Sequence, residues 1–310
     1  MTAAKTRRAY FGMTVRNMKV YSKDKIALLL SLLTQLIVLG LFLLFLKSTY
    51  VDAINDSLGA LKDKLDKRDV ESIVNSWLVS GVVGTSVVTA ALNALTVMVH
   101  DKMERIDYDY SAAAVKSGTV VMSYFTGAML SAFATSAVLL TAGLGFIAVT
   151  GNFLYGFLDV LTIYATVFFG TVSSTMVLML FVSLFKKDSS LSAFNILVSV
   201  AIGFVVGAYV PVGQFSQNMQ TAVNLVPGAQ ITALLRNELM RPAIDSADSI
   251  LGGVDNHSFA NSLNDLFALK LNIFGTEHST VFMLIYGLAS IALFLVLNVV
   301  LFKVTSKRKE

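Results

Sequence analysis

Along this chain of 310 residues, long apolar runs alternate with short islands of charge. Six runs are long enough to cross the ~30 Å hydrocarbon core of a bilayer at about 1.5 Å of helical rise per residue. They lie at about 26–46, 77–99, 118–149, 157–185, 191–210 and 281–302. The third and fourth exceed the ~20 residues that a crossing needs, which predicts tilt, a kink or extension beyond the bilayer. The expectation is an all-α polytopic membrane protein, a single domain over 1–310 with six spans. The first run follows a basic segment, as a secretory signal does. It is too long for an h-region, and no A-x-A pattern follows it in KSTYVDA, so it reads as a retained anchor.

The segments between the runs carry patterns of their own. At a helical 100° per residue, Tyr10, Phe11, Val15, Met18 and Tyr21 gather on one face of 1–25, and Arg8, Arg16, Lys19 and Lys23 on the other. This predicts an amphipathic interfacial helix with cations toward anionic headgroups, although Met13 and Val20 fall on the wrong face. An ordinary basic flank serving only as a topology signal reads the same residues otherwise. In 47–76, Ile54, Leu58, Leu61 and Leu65 recur at helical spacing, predicting a short amphipathic helix outside the membrane. The segment 211–280 holds all three prolines, Pro211, Pro227 and Pro242, and its apolar stretches are too interrupted to cross. Within it, QTAVNLVPGAQITALL predicts two half-helices turning at Pro227 and Gly228, a re-entrant hairpin in the outer leaflet.

Composition and charge narrow the picture. Hydrophobic residues make up 55% and charged residues 14%, about half the usual charged share near 25%, which disfavours a soluble fold. Lys and Arg number seven in 1–25, three in 100–117, two in 186–190 and four from Lys303 onward. The opposite side holds five in 47–76, none in 150–156 and three in 211–280, over longer loops. Both termini are therefore expected on the cytoplasmic side. The basic excess sits where topology puts it, so no nucleic-acid partner is expected, and membrane lipids are the natural one. Cysteine is absent, which excludes disulfides and thiolate metal sites.

The spans hold few groups that do chemistry. Asp159 is their only acid and sits at an outer end, which disfavours a proton-coupled mechanism. Gln35, Ser86, Thr89, Asn93 and Asn195 are candidates for a polar substrate path, though such residues also cement helices together. Gly203 and Gly207 form a G-x-x-x-G pair, a candidate dimer interface or an intrachain packing site. The chain lacks the G-x-x-x-x-G-K-[ST] phosphate loop, so it cannot hydrolyse ATP by that route. His100, His257 and His278 are isolated, with no carboxylate at ligand spacing, and no G-x-S-x-G elbow is present. No catalytic residue, metal or bound cofactor is expected.

The inner loop VMVHDKMERIDYDYSAAAVKSGTVVMSYF, the basic helix before the first span and PGAQITALLRNEL after the fifth resemble the membrane subunits of ABC-2 type exporters. The layout agrees over nearly the whole chain, and the residue-specific agreement lies in the inner loop and the PGAQITALLRNEL stretch. The resemblance implies that 100–117 forms a coupling helix docking on a separate ATPase subunit, present in two copies with ATP and Mg. Its closest matches are Asp101, Lys102, Ile106, Asp109, Tyr110 and Ser111, with Glu104 and Arg105 adding charge. Relatives often carry a proline after that serine, where this chain has Ala112. The family also pairs two permease chains, a homodimer or a paralogue pair, with first and fifth spans meeting at a central path. Pro211, Pro227, Gly228 and Arg236 then become candidates for an outer gate.

The resulting expectation is an exporter permease in a bacterial or archaeal plasma membrane, moving an amphiphilic drug, antibiotic, peptide or lipid outward. Two rivals remain at this point. One is an ion-coupled transporter or channel, and the other a noncatalytic membrane scaffold or sensor.

Overall fold

The computed structural model describes residues 3–113 and 115–307. Positions 1–2, 114 and 308–310, within the expected interfacial helix, inner loop and tail, lie outside the described residues. So do the side chains of Asp107, Ser111 and Lys303.

The elements are α1 (Ala3–Lys23), α2 (Lys25–Leu41), α3 (Lys47–Leu58), α4 (Lys67–Met103), α5 (Ile106–Ala112), α6 (Ser117–Thr150) and α7 (Phe157–Val182). They continue with α8 (Asp188–Val205), α9 (Gln217–Asn224), α10 (Pro227–Leu251), α11 (Ser258–Leu266), a hairpin of β1 (Leu271–Ile273) and β2 (Thr276–His278), and α12 (Thr280–Lys307). Among the described residues, six stretches are long and apolar enough to cross a membrane: Gln35–Leu58, Lys67–Met103, Ser117–Thr150, Phe157–Val182, Asp188–Val205 and Thr280–Leu301. The described chain is predominantly helical, with an antiparallel hairpin in which Leu271 pairs with His278.

The helix α4 forms the axis of the bundle and is buried along nearly its whole length. Its sequence explains this. Ser80, Gly81, Gly84, Ser86, Ala90 and Ala91 leave room for neighbours on several sides, as small residues do between helices in lipid. A Cβ at Gly84 would meet the Thr232 side chain at 2.5 Å, so glycine is what lets α10 lie against α4. The helices α6, α7 and α8 complete the wall around it. By contrast, α8 and α12 expose Ile196, Leu197, Val200, Leu288 and Val296, an apolar surface suited to hydrocarbon.

The structure alters several boundaries. Helical bonding in the first run continues through a π-helical turn at Phe42–Leu46 into α3, so this rod ends at Leu58 and not near 46. Ile54, Leu58 and Leu65 are buried in one cluster with Trp77, Met240, Ile244 and Phe267. The second run begins ten residues earlier than its apolar composition indicates, because Asp66 and Asp69 form a reciprocal capping box. In 211–280, α9 and α10 are the two expected helices, with Pro227 at the first turn of α10, where its missing N–H costs nothing. Pro242 lies within α10 and does not end it.

The glycine pair is not a stripe on a helix. Gly207 lies beyond the end of α8 with φ +72, and Ala208 N–H and Gly207 N–H donate to Gly203 O and Phe204 O at 2.8 and 3.1 Å. This is a Schellman turn, in which Gly207 supplies the left-handed residue. The space beside Gly203 is filled by the ring of Tyr209. Both glycines therefore serve the chain's own turn, which corrects their reading as a G-x-x-x-G contact surface.

Candidate functional site

The C-terminal end of α4 meets α5 at a sharp elbow. Arg105 takes a left-handed conformation with φ +59, a cost of roughly 1 kcal/mol or more for a residue with a side chain. The bend turns Met103, Glu104, Arg105, Tyr108 and Asp109 outward, all exposed, while Ile106 and Tyr110 are half-buried against the bundle.

Just before the elbow the chain is anchored. Asp101 is fully buried and receives two guanidinium N–H groups of Arg16, one of them at 2.8 Å. Tyr124 O–H donates to the same carboxylate at 2.5 Å. The hydrogen-bonded carboxylate raises the pKa of Arg16 above its ordinary value. Lys102 donates to Ser183 O at 2.8 Å, beyond the C-terminus of α7, where a cation suits the helix dipole. Asp101 and Lys102 are therefore internal ties among α1, α4, α6 and α7. This corrects the expectation that they offer charge to a docking partner, a role left to Glu104, Arg105 and Asp109.

The helix α1 also departs from its wheel. Met13, Thr14, Asn17 and Tyr21 are buried, and Tyr10 O–H lies 2.7 Å from Thr126 Oγ1. Arg16 turns inward to Asp101, while Arg8, Lys19 and Lys23 remain exposed beside Phe11 and Val15. The wheel placed Met13 on the wrong face and Arg16 on the solvated one. The physical reason is that α1 packs sideways on α6, so its buried face is set by a protein neighbour rather than by a polarity boundary.

The expected polar path divides in two. Thr85, Thr89, Asn93, Thr96 and His100 succeed one another at steps of three or four on one face of α4. Gln35 of α2 accepts from Thr85 Oγ1 at 2.8 Å and donates to Thr89 Oγ1 at 3.2 Å. Asn195 of α8 donates to Asn93 Oδ1 at 2.6 Å. Ser86 is on another face, donating to Val83 O at 2.7 Å and to Ser136 of α6 at 3.2 Å. The structure thus brings Gln35, Thr89, Asn93 and Asn195 to one stripe and separates Ser86 from it.

Two ionisable groups of α10 enter the bundle. Arg236 is 1% exposed and has no carboxylate partner among the described residues. It donates to Val206 O at 2.5 Å and to Phe267 O at 2.8 Å, the carbonyl ends of α8 and α11. Two helix C-termini each carry about half a negative charge, so together they supply roughly one opposing unit. Burial lowers the Arg236 pKa to about 10, which keeps it charged at neutral pH. Arg236 thus ties α8, α10 and α11 together, whereas Pro211, Pro227 and Gly228 belong to the backbone turns before and within this assembly.

Glu238, which the span-by-span count of acids passes over, accepts from Thr166 of α7 at 2.7 Å, and its Oε2 is buried with no hydrogen-bond partner among the described residues. Burial pushes its pKa up to about 7. Between about pH 4.5 and 7 the folded chain holds a proton that the unfolded chain has released, so stability falls as pH rises through that window. The fall should amount to roughly 3 kcal/mol. In Glu238→Gln, thermal unfolding of the detergent-solubilised protein should change less between pH 5 and 8 than in the wild type. An equal slope in both proteins would reject this assignment. The signal was present in ITALLRNELM, where two ionisable residues interrupt an apolar helical run.

Comparison with models of known families, with curated proteins and with solved structures finds no match to this chain, so the site stands on its own geometry.

Proposed function

We propose that this chain is the membrane-spanning subunit of an exporter driven by ATP hydrolysed on a separate chain, which it engages through the α4–α5 elbow. The observation that carries the reading is the pairing of an exposed elbow with buried ties immediately behind it. Glu104, Arg105, Tyr108 and Asp109 offer both charge signs and an aromatic anchor to a partner. Asp101 and Lys102 couple that elbow to α1, α6 and α7. A displacement of the elbow is then shared by the bundle and not absorbed by a loose loop.

In this reading ATP and Mg reside on the partner, and two permease chains and two ATPase chains form the complex. The exposed faces of α2 and α8 are the proposed meeting surface, in place of the glycine pair. The helix α1 lies at the inner interface with Arg8 and Lys19 toward lipid headgroups. The α9–α10 turn dips into the outer leaflet, a placement supported by Gly228 lying beside Val88 and Ile202, midway along the central span. The membrane is the plasma membrane of a bacterium or archaeon, with both chain ends inside.

The experiment is copurification with a Walker-motif ATPase sought in the reading frames neighbouring the gene. Glu104→Lys combined with Asp109→Lys should reduce ATPase recovery at least about tenfold, a loss of 1.4 kcal/mol or more in docking, without changing the monomer's thermal stability. Unchanged recovery and unchanged transport would count against the elbow as the docking site.

An ion-coupled transporter is the second reading, and Glu238 is the observation that favours it. Transport that persists without any ATPase and is abolished by Glu238→Gln would establish it over the first.

A further inference from the structure

We infer that the cleft between the α1–α2 junction, α4 and α8 is a binding site for an organic cation with an apolar body. This inference rests on the exporter reading for its role and names the substrate class that reading leaves open. The cleft has a volume of about 410 Å³, within the ~300–1,000 Å³ range of small-molecule sites. It lies beside the C-terminal turns of α4, where Thr96, Val97 and His100 face it.

Its chemistry is one-sided. Asp24 and Asp188 contribute two carboxylates, His100, Ser192 and Asn195 contribute polar groups, and among the described residues no Lys or Arg lines it. Lys23, Lys25, Lys186 and Lys187 are neighbours in sequence but are exposed and outside the lining. Neither Asp188 nor His100 has a side-chain hydrogen bond or ion pair among the described residues, so both are available to a ligand. Val97 and Leu191 supply an apolar wall beside them. A bare metal ion is a poor fit, because no three His, Asp or Glu side chains gather among the described residues. A cation that carries its own apolar surface satisfies both kinds of wall.

The cleft also leads somewhere. Thr96 and His100 are the lowest members of the polar stripe on α4, and Asn195 joins the cleft to the Asn93 step above it. Hydroxyl and amide oxygens then rise along α4 to the Gln35 and Thr85 pair. Such acceptors reduce the desolvation cost of moving a cation from water toward the middle of the bundle.

The test uses tetraphenylphosphonium and tetraphenylborate, which share shape and apolar surface and differ in the sign of charge. Binding of labelled tetraphenylphosphonium to the full chain in nanodiscs is measured with no ATPase present. The comparison is made with Asp24→Asn combined with Asp188→Asn, and with the charge-retaining pair Asp24→Glu and Asp188→Glu. Retention of the fold in both paired variants is checked by thermal unfolding. Saturable binding is expected in the wild type and the Glu pair, at least about tenfold weaker in the Asn pair, and labelled tetraphenylborate, measured separately, should show no saturable binding. A smaller change, saturable binding of the borate that the Asn pair leaves unweakened, or no saturable binding of the cation to folded wild-type protein overturns the proposal. Because the assay lacks an ATPase, its outcome decides the site alone, and the exporter reading stands or falls separately on the copurification with an ATPase.

Discussion

Replacing Arg16 by methionine should destabilise the folded chain by about 3 kcal/mol, the lower part of the range for breaking one side of a buried ion pair. The carboxylate of Asp101 is fully buried, and without the guanidinium it keeps only the hydroxyl of Tyr124. It must then remain charged in a poor solvent or take up a proton, and either choice costs free energy. Arg16 itself is about one-third exposed, which places the effect below that of a fully enclosed pair. Arg16→Met combined with Asp101→Leu should recover much of the loss, because no charge is then stranded. Thermal unfolding of the solubilised single and double variants measures the difference. Equal destabilisation in both would show that packing of α1, and not the stranded carboxylate, sets the cost. Because Asp101 sits two residues before the exposed Met103, the single variant should also weaken elbow-dependent coupling while leaving Glu104 and Asp109 in place.

Arg236→Met should be at least as costly, at roughly 3–5 kcal/mol. The guanidinium bridges carbonyls at the ends of α8 and α11, and its removal leaves Val206 O and Phe267 O buried without their donors. An orphaned buried acceptor costs about 1–3 kcal/mol, and a cavity the size of the lost head group adds to it. Arg236→Lys distinguishes geometry from charge. A lysine retains the positive charge opposite two helix C-termini but lacks the planar fork that reaches both at once. It should recover part of the stability lost in the methionine variant and remain below the wild type. Full recovery by lysine would mean that the helix-dipole attraction alone holds this corner, and no recovery would mean that the fork geometry is everything.

These two residues show where sequence reasoning stops. Arg16 reads as one more cation in a basic flank because its partner lies 85 positions away and becomes a neighbour only after α1 has packed on α6. Arg236 attracts notice through its motif, yet the groups that neutralise it are main-chain carbonyls, which leave no mark in composition. The glycine pair fails differently. Four-residue spacing is the same whether a helix continues through the second glycine or ends at it, and the left-handed φ of Gly207 decides which.

What the sequence determined by itself is the set of long apolar helices and the grouping of charge between them. Both follow from local properties: helical rise against bilayer thickness, and the cost of taking Lys, Arg, Asp or Glu into hydrocarbon. It also showed that Glu104, Arg105 and Asp109 interrupt the apolar pattern near one end of a span. Only the tertiary structure decided that Asp101 and Lys102 face inward, that Ser86 leaves the polar stripe, and that Asp24 and Asp188 meet across one cleft. The reason is physical. Burial in lipid selects which residues are apolar, but the direction of each polar side chain depends on which helix happens to lie opposite. That pairing is a contest among long-range contacts that no local pattern records.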